Sequence, residues 1–392
     1  MDFTPSEEQS AAQGLAARIF GDLSTHDRLA AAGSGTDTEL WKELCAAGLP
    51  GAAEETGLLG LVLLAEEQGR TTAQVPFVAS CVYGLLAVAE HGTDEQRGRL
   101  LPSFRDGTAV ATGAFPAHAT VRAESGGRLG RAGLPETGTG LSAMARAESG
   151  GRLGRAGLPE TGTGLSATVR AESGDRLSGT VPLVPWLRDA THVLVAAADR
   201  TLWIVPTADP GVVTVPVETT APWAAARLVL AGAPAERLGG SGAYAQMLAT
   251  ARTAFAGVQA GVCAGSLARA VEHTGTREQF GRPLSTNQAV LLRAADAYMD
   301  TEAIRVTAYE AAWRHDEGLT YREQALTAAW WASEAGKRVV HAGQHLHGGT
   351  GADLDHPVHR HFLWGRQLDA YLGGSGSVIQ ELGELLVKEG PK

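Results

Sequence analysis

The sequence lacks the features that would place it in a membrane, on a nucleic acid or outside the cell. Its three cysteines, Cys45, Cys81 and Cys263, are odd in number, far apart and without a CxxC pair. That speaks against disulfides and a thiolate metal site and fits a reducing cytoplasm. There is no basic tract, and the formal net charge of -10 argues against a nucleic-acid partner. The longest apolar run, residues 58–65 around Gly60, is far too short to cross a bilayer, and no membrane association is expected. The opening Met1-Asp2-Phe3-Thr4 has no basic segment followed by an apolar one, so no signal peptide is indicated. What is left, 44% hydrophobic and 19% charged over 392 residues, is a globular chain long enough for two or three domains and a substantial core.

Three textures follow one another. Residues 1–108 read as helical. Thr4-Pro5-Ser6-Glu7-Glu8 starts a helix with a capping hydroxyl, a proline in the first turn and acids facing the positive end of the dipole. Gly92-Thr93-Asp94-Glu95-Gln96 opens another in the same way, and Pro102 with Asp106-Gly107 closes the region. Trp41, Leu44, Cys45 and Leu49 fall on one helical stripe. From 109 to 239 the signals are short β runs, at 191–195, 201–205 and 212–215, separated by Pro, Gly and Asp. From 240 to 392 the helical period returns. Leu248, Ala251, Phe255, Val258 and Val262 form one stripe, and Leu292, Ala295, Met299, Ala303, Val306 and Trp313 another. A further helix spans about 321–345 and a last one ends the chain. Long helices rich in Ala and Gly pack closely, as in a four-helix bundle.

Within the β region, residues 122–143 recur unchanged as 146–167, an offset of 24 residues, and a third, truncated copy begins at Arg170-Ala171-Glu172-Ser173-Gly174. Two copies cannot form a solenoid. The unit is rich in Gly, Ser and Thr and poor in large apolar residues. It reads as a slippage insertion forming an extended surface hairpin or a disordered loop, at small energetic cost.

Two segments carry chemistry. The guanidinium of Arg277, with small Gly281 nearby, offers a planar fork suited to two phosphate oxygens. Gly348-Gly349 permits close backbone approach to a ligand, and the Gln344 amide can donate and accept. The residues alone equally allow a surface ion pair and a plain turn after a helix.

The order of these motifs resembles the acyl-CoA dehydrogenase family over essentially the whole chain outside the insert. Met1-Asp2-Phe3 with Glu7-Glu8-Gln9 is similar to the family's start, and Gly92 to Gln96 with Leu101-Pro102 to its GTEEQ…LP stretch. Arg277-Glu278-Gln279-Phe280-Gly281-Arg282-Pro283-Leu284 with Gln288 is similar to RxQFGxPI…Q. Gln344 through Gly351, with Pro357 and Arg360, is similar to QxxGGxGx…P…R. The resemblance implies a mainly α fold with a β middle domain: an N-terminal helical domain, a β-domain and a C-terminal four-helix bundle. It also implies an FAD cofactor, an acyl-CoA substrate and a dimer across which Arg277, Gln279, Phe280, Gln344, Gly348 and Gly349 reach the neighbouring subunit's FAD.

Other parts of the family pattern are missing. The family's reaction needs a carboxylate to remove the α-proton of the thioester. The usual glutamate, in an IYEGTS-like segment, corresponds to Gly373 in Tyr371-Leu372-Gly373-Gly374-Ser375. The alternative position, 26 residues before the motif arginine, is Ala251. The TEPxxGSD loop is replaced by Thr112-Gly113-Ala114-Phe115-Pro116-Ala117-His118, and the WIT segment by Val181-Pro182-Leu183-Val184-Pro185-Trp186. Segments serving a neighbour's flavin are kept and those serving the chain's own are lost. This pattern resembles the non-catalytic chains of actinobacterial heterotetrameric acyl-CoA dehydrogenases, including those acting on steroid side-chain CoA thioesters. It implies two such chains with two catalytic chains. Two alternatives stay open: a homo-oligomeric flavoenzyme of altered chemistry, such as oxygenation, and a flavin-free scaffold. Asp369, one turn before Gly373, is the best substitute base for a chain working alone. The histidines of the tail, with His341 and His345 at i, i+4, have a zinc-compatible spacing but no HExxH pattern. Trp330-Trp331 reads as helix packing.

Overall fold

The computed structural model describes residues 3–115, 168–172 and 175–389. The duplicated insert at 122–167 lies outside the described residues. The N-terminal part holds α1 (Glu7–Leu23), α2 (His26–Ala32), α3 (Thr38–Ala46), α4 (Leu49–Glu55), α5 (Gly57–Thr71), α6 (Phe77–Ser80), α7 (Ala87–His91) and α8 (Asp94–Arg105). A π-helical stretch, Cys81–Leu86, joins α6 to α7. Ser6 and Thr93 each close a capping box with a glutamine three residues on, Gln9 and Gln96. Pro5 therefore lies before the cap of α1 instead of in its first turn, and Pro102 sits inside α8, which continues to Arg105. The stripe expected through Trp41, Leu44, Cys45 and Leu49 is broken at Gly48, whose φ of 72° ends α3 and starts α4. Trp41, Leu44 and Leu49 are still buried, from two helices in place of one.

Among the described residues the middle part holds the strands β1 (Ala111–Ala114), β2 (Thr168–Glu172), β3 (Arg176–Val184), β4 (His192–Ala196), β5 (Leu202–Pro206), β6 (Val212–Pro216), β7 (Ala226–Pro234) and β8 (Glu236–Leu238). They form two sheets, ordered β1-β4-β5-β8 and β2-β3-β7-β6. Residues alternate between the faces of a strand. Val193, Val195, Trp203 and Val205 accordingly join the core between the sheets, while Leu194, Ala196, Leu202 and Ile204 join the helical core. The first sheet is thus covered on both sides. Arg170-Ala171-Glu172 of the third repeat copy belongs to β2, an edge strand paired with β3.

The C-terminal part holds α9 (Ala243–Thr276), a hairpin of β9 (Glu278–Gln279) and β10 (Arg282–Pro283), then α10 (Gln288–Asp316), α11 (Arg322–Leu346), α12 (Pro357–Leu372) and α13 (Ser375–Glu389). The sequence indicated one helix after α11; two are present, separated by Gly373 and Gly374 in positive φ. Helix α9 is the centre of the molecule and is buried on nearly all sides, not along one stripe. By length and composition it is the one helix among the described residues that could cross a membrane, and 72% of its apolar window is packed inside the protein. Its glycines set the spacing to α5. A Cβ on Gly261 would strike the Glu66 carbonyl, and one on Gly69 the Val258 carbonyl. Gly261→Ala is therefore expected to lower unfolding stability by about 1–3 kcal/mol in denaturant titration.

Helix α10 departs most from expectation. Of the apolar stripe on this helix, Leu292, Met299 and Val306 are 58%, 61% and 50% exposed, beside exposed Leu291 and Tyr298. The buried face is instead Ala297, Thr301, Ile304, Ala308, Ala311 and Ala312. Small residues let α10 approach α9 and α11, and the larger apolar ones point away from the chain.

The far end of α10 caps α5. No side chain of its own segment caps α5. Leu58 and Leu59 instead donate their N–H groups to the Asp316 carboxylate at 2.8 and 2.9 Å. His315 bridges Asp316 (3.0 Å) and Glu90 (3.1 Å). Burial alone would lower its pKa, but the two carboxylates outweigh burial and lift it to about 9. A raised histidine contributes stability that is present below its ordinary pKa and lost as pH rises through the folded value. The thermal midpoint is expected to fall as pH rises through about 9, and His315→Gln to remove that decline.

Candidate functional site

The two segments singled out from sequence lie together. Helix α9 ends where the Arg277 N–H donates to the His273 carbonyl at 2.8 Å, and the chain turns into the short hairpin. Its turn residues, Phe280 and Gly281, have φ of 56° and 74°, the double positive-φ turn that matches the twist of a two-residue hairpin. Glycine accepts that conformation freely; phenylalanine does so at a cost. Phe280 is 101% exposed, an aromatic ring held in a strained backbone and wholly in solvent. Arg277 and Gln279 are exposed too, and among the described residues no ion pair or side-chain hydrogen bond restrains either one.

Helix α11 ends at Leu346 and passes into a 3₁₀ turn, Gly348–Ala352. Gly348 has φ of 61°, and a Cβ on Gly348 or Gly349 would meet nothing within 4 Å, so both face open space. The Gln344 amide donates to the Gly351 carbonyl at 3.1 Å and holds the turn in shape. His347 lies between the two segments: its ring stacks on His273 with centroids 4.6 Å apart. All six candidate residues thus occupy one corner of the bundle.

A second feature is a cleft of about 650 Å³ between α9, α12, α13 and the middle domain. Ala251, Tyr371 and Leu372 line it, with Tyr83, Phe115 and Tyr244. Gly373 ends α12 next to it, at φ 119°. The π-helical stretch presents Tyr83, whose hydroxyl is hydrogen-bonded to that of Tyr371. Burial raises the pKa of both phenols, so they stay neutral. The Tyr371 ring packs on Phe255 at 4.6 Å, and Trp223 stacks against Trp186 at 6.1 Å and meets Trp364 edge-on at 5.5 Å. This aromatic cluster, packed behind Tyr371, includes Trp186, on the segment that departs from the WIT pattern. A Cβ on Gly113, in the segment that departs from TEPxxGSD, would strike the Tyr83 ring. Residues 116–118 of that segment lie outside the described residues.

Two carboxylates missed by sequence reading line the cleft, Glu381 and Glu384. Glu381 is paired with both terminal nitrogens of Arg252, at 3.0 and 2.6 Å, with Arg322 at 3.7 Å. Burial would raise its pKa, but the Arg252 hydrogen bonds and charge outweigh burial and lower it. A carboxylate so held is a weak proton acceptor. No local spacing could have found it, because the partners are 129 residues apart. Asp369, the substitute base considered above, is not among the cleft residues; it faces Lys337 and Arg366, and burial raises its pKa. His341 packs edge-on against Phe362, and among the described residues no three His, Cys, Asp or Glu side chains converge as metal ligands. Trp330 and Trp331 pack against the core.

Comparison with known proteins settles the lineage. Residues 6–108 match the acyl-CoA dehydrogenase N-terminal domain and residues 239–383 the acyl-CoA dehydrogenase C-terminal domain. The chain is 33% identical to acyl-CoA dehydrogenase FadE27 of Mycobacterium tuberculosis over 99% of both chains. It belongs to the acyl-CoA dehydrogenase family. Among solved structures it is similar to a variant of the Tcur3481–Tcur3483 steroid acyl-CoA dehydrogenase, at 39% identity and a TM-score of 0.82 over 98% of each chain. It is likewise similar to the ChsE4–ChsE5 complex from Mycobacterium tuberculosis, at 28% identity and a TM-score of 0.82 over the whole of both chains. The acyl-CoA dehydrogenase fold, with helical, β and helical parts in order, is the one observed here. Membership implies FAD binding in general. On this structure the open corner with Arg277, Gly348 and Gly349 fits a dinucleotide phosphate, through a fork of donors and backbone free of Cβ atoms.

Proposed function

We propose that this acyl-CoA dehydrogenase chain is the non-catalytic subunit of a cytoplasmic heterotetramer, two of these chains with two catalytic ones, that desaturates an acyl-CoA thioester. The observation that carries the reading is the cleft: Ala251 lines it and Gly373 ends α12 beside it where the base is expected, while of its two carboxylates Glu381 is locked to Arg252 and Glu384 accepts from the Gln380 amide. In this reading Arg277 clamps the diphosphate of the partner's FAD, Gln279 and Phe280 contact that cofactor, and Gln344 holds Gly348 and Gly349 open for its approach. The bound FAD supplies the hydride acceptor. The partner supplies the base and most of the acyl pocket.

Three further features support it. The apolar residues of α10 point outward, as an interface helix requires. Phe280 is presented on a strained turn, fully exposed among the described residues. Both structural neighbours bear names joining two components, and the second is described as a complex. The division into 1–108, 109–239 and 240–392 assigns the partner contacts to the third part and the aromatic-lined cleft to all three. The test is expression of the chain alone and together with a catalytic acyl-CoA dehydrogenase chain encoded beside it. The expected result is a colourless, inactive protein alone and a yellow, active complex. A yellow chain that turns over acyl-CoA unaided overturns the proposal.

A further inference from the structure

Between the two anchor segments lies a cluster of three imidazoles. His273, on the last turn of α9, stacks on His347 at 4.6 Å and 24° between planes; His356, at the start of α12, meets His347 edge-on at 5.0 Å. Two of the rings have assigned tasks. His347 donates from Nδ1 to the Gly343 carbonyl at 2.7 Å, and His356 accepts at Nδ1 the N–H of Val358, which caps α12. Protonating His356 there would remove the cap. Among the described residues no such hydrogen bond constrains His273, which is half-buried and one helical turn before Arg277, so the two side chains share a face of the chain.

We infer that His273 takes up a proton when a diphosphate is bound by Arg277 and the Gly348-Gly349 turn, so that this chain binds FAD in a proton-linked way. The inference rests on the function proposed above and adds to it a residue and a charge. The surroundings explain why the proton is absent beforehand. Burial, His347, His356 and Arg277 all depress the His273 pKa. His356 is likewise depressed, by burial first and then by His347, Arg269 and His26, with Asp353 as the opposing charge. Asp353 is the acid acting on His356 and Glu272 the acid acting on Arg269, and burial with the surrounding positive charge disfavours a proton on His273 and His356. An arriving dianion reverses the balance at the ring nearest Arg277. Imidazolium at His273 is then stabilised by the anion and by the face of the His347 ring, whose Nδ1–H the Gly343 carbonyl holds in place. The balance is one proton from solvent to His273 per diphosphate bound.

The sign follows from linkage. A group protonated in the bound state and neutral in the free state makes binding tighter as pH falls. The diphosphate keeps its charge across this range, so the slope belongs to the protein. The experiment titrates FAD into the flavin-stripped complex of the full chain with its catalytic partner, by calorimetry in two buffers of different ionisation enthalpy. The expected Kd is roughly tenfold lower at about pH 6 than at about pH 8. Net proton uptake accompanies binding, and His273→Phe removes both effects while keeping the stack. His273→Gln serves as a second neutral variant and gives the same flat profile. Riboflavin, which has no phosphate, shows no slope. FAD binding that is independent of pH, or an unchanged slope in both variants, overturns the inference and leaves the cofactor-sharing function standing. FAD affinity unaffected by Arg277→Ala overturns both.

Discussion

Arg277→Ala in this chain, with the catalytic chain unaltered, is expected to weaken FAD binding by the assembled complex about 100-fold, near 3 kcal/mol, as measured by flavin titration. The size follows from the chemistry. A guanidinium giving two parallel charge-assisted hydrogen bonds to a diphosphate loses both in the variant, at about 1.5–3 kcal/mol each, less what water restores. Arg277 is well placed for this, since it is exposed and no acid among the described residues is ion-paired with it. Arg277→Lys is expected to recover only part of the affinity, because an ammonium is a point charge without the fork. Unfolding stability of the isolated chain is expected to stay unchanged in both variants, which separates cofactor binding from folding. An unaltered flavin affinity would return Arg277 to the status of a surface cation.

The largest stability effect is expected at Arg305. Its Nε lies 3.0 Å from Glu66, a carboxylate 2% exposed in the middle of α5, and its other end meets Glu302. Tyr309 adds a hydrogen bond to Glu66, yet burial still raises the Glu66 pKa. Arg305→Ala leaves that carboxylate buried without its cation, at a cost of about 3–5 kcal/mol in denaturant unfolding. The double variant Glu66→Met with Arg305→Met should recover most of the loss, because it removes both desolvated charges and fills their space. Acidification should also shrink the deficit of the single variant. A buried acid with a raised folded pKa is destabilising above its unfolded pKa, and that penalty fades as pH falls and the carboxyl is protonated. A single variant with an equal deficit at neutral and acid pH would show that lost packing, not the orphaned charge, sets the effect.

Local chemistry was readable from the sequence and tertiary context much less so. The capping boxes at Ser6 and Thr93 are satisfied within four residues, and sequence located both helix starts. The β runs at 191–195, 201–205 and 212–215 match β4, β5 and β6 within a residue. The apolar stripe of α10 turned out to face outward: a period of 3.6 reports that a face is apolar, not what it packs against. Small Ala297, Thr301 and Ala308 give a weak periodic signal although they make the intramolecular contact. Gly48 ended a helix inside an unbroken apolar stripe because a positive φ overrides periodicity. The motif segments 277–281 and 344–349 were legible as motifs, and their neighbourhood through His273 and His347 was not. The Arg252–Glu381 pair likewise depends on α9 meeting α13.

The central claim is that one polypeptide in each pair carries a flavin-dependent active centre and this one completes its cofactor site. Counting FAD against polypeptide in the purified, fully loaded complex tests it most directly. The account predicts half as many FAD molecules as chains. One FAD for every chain would contradict it.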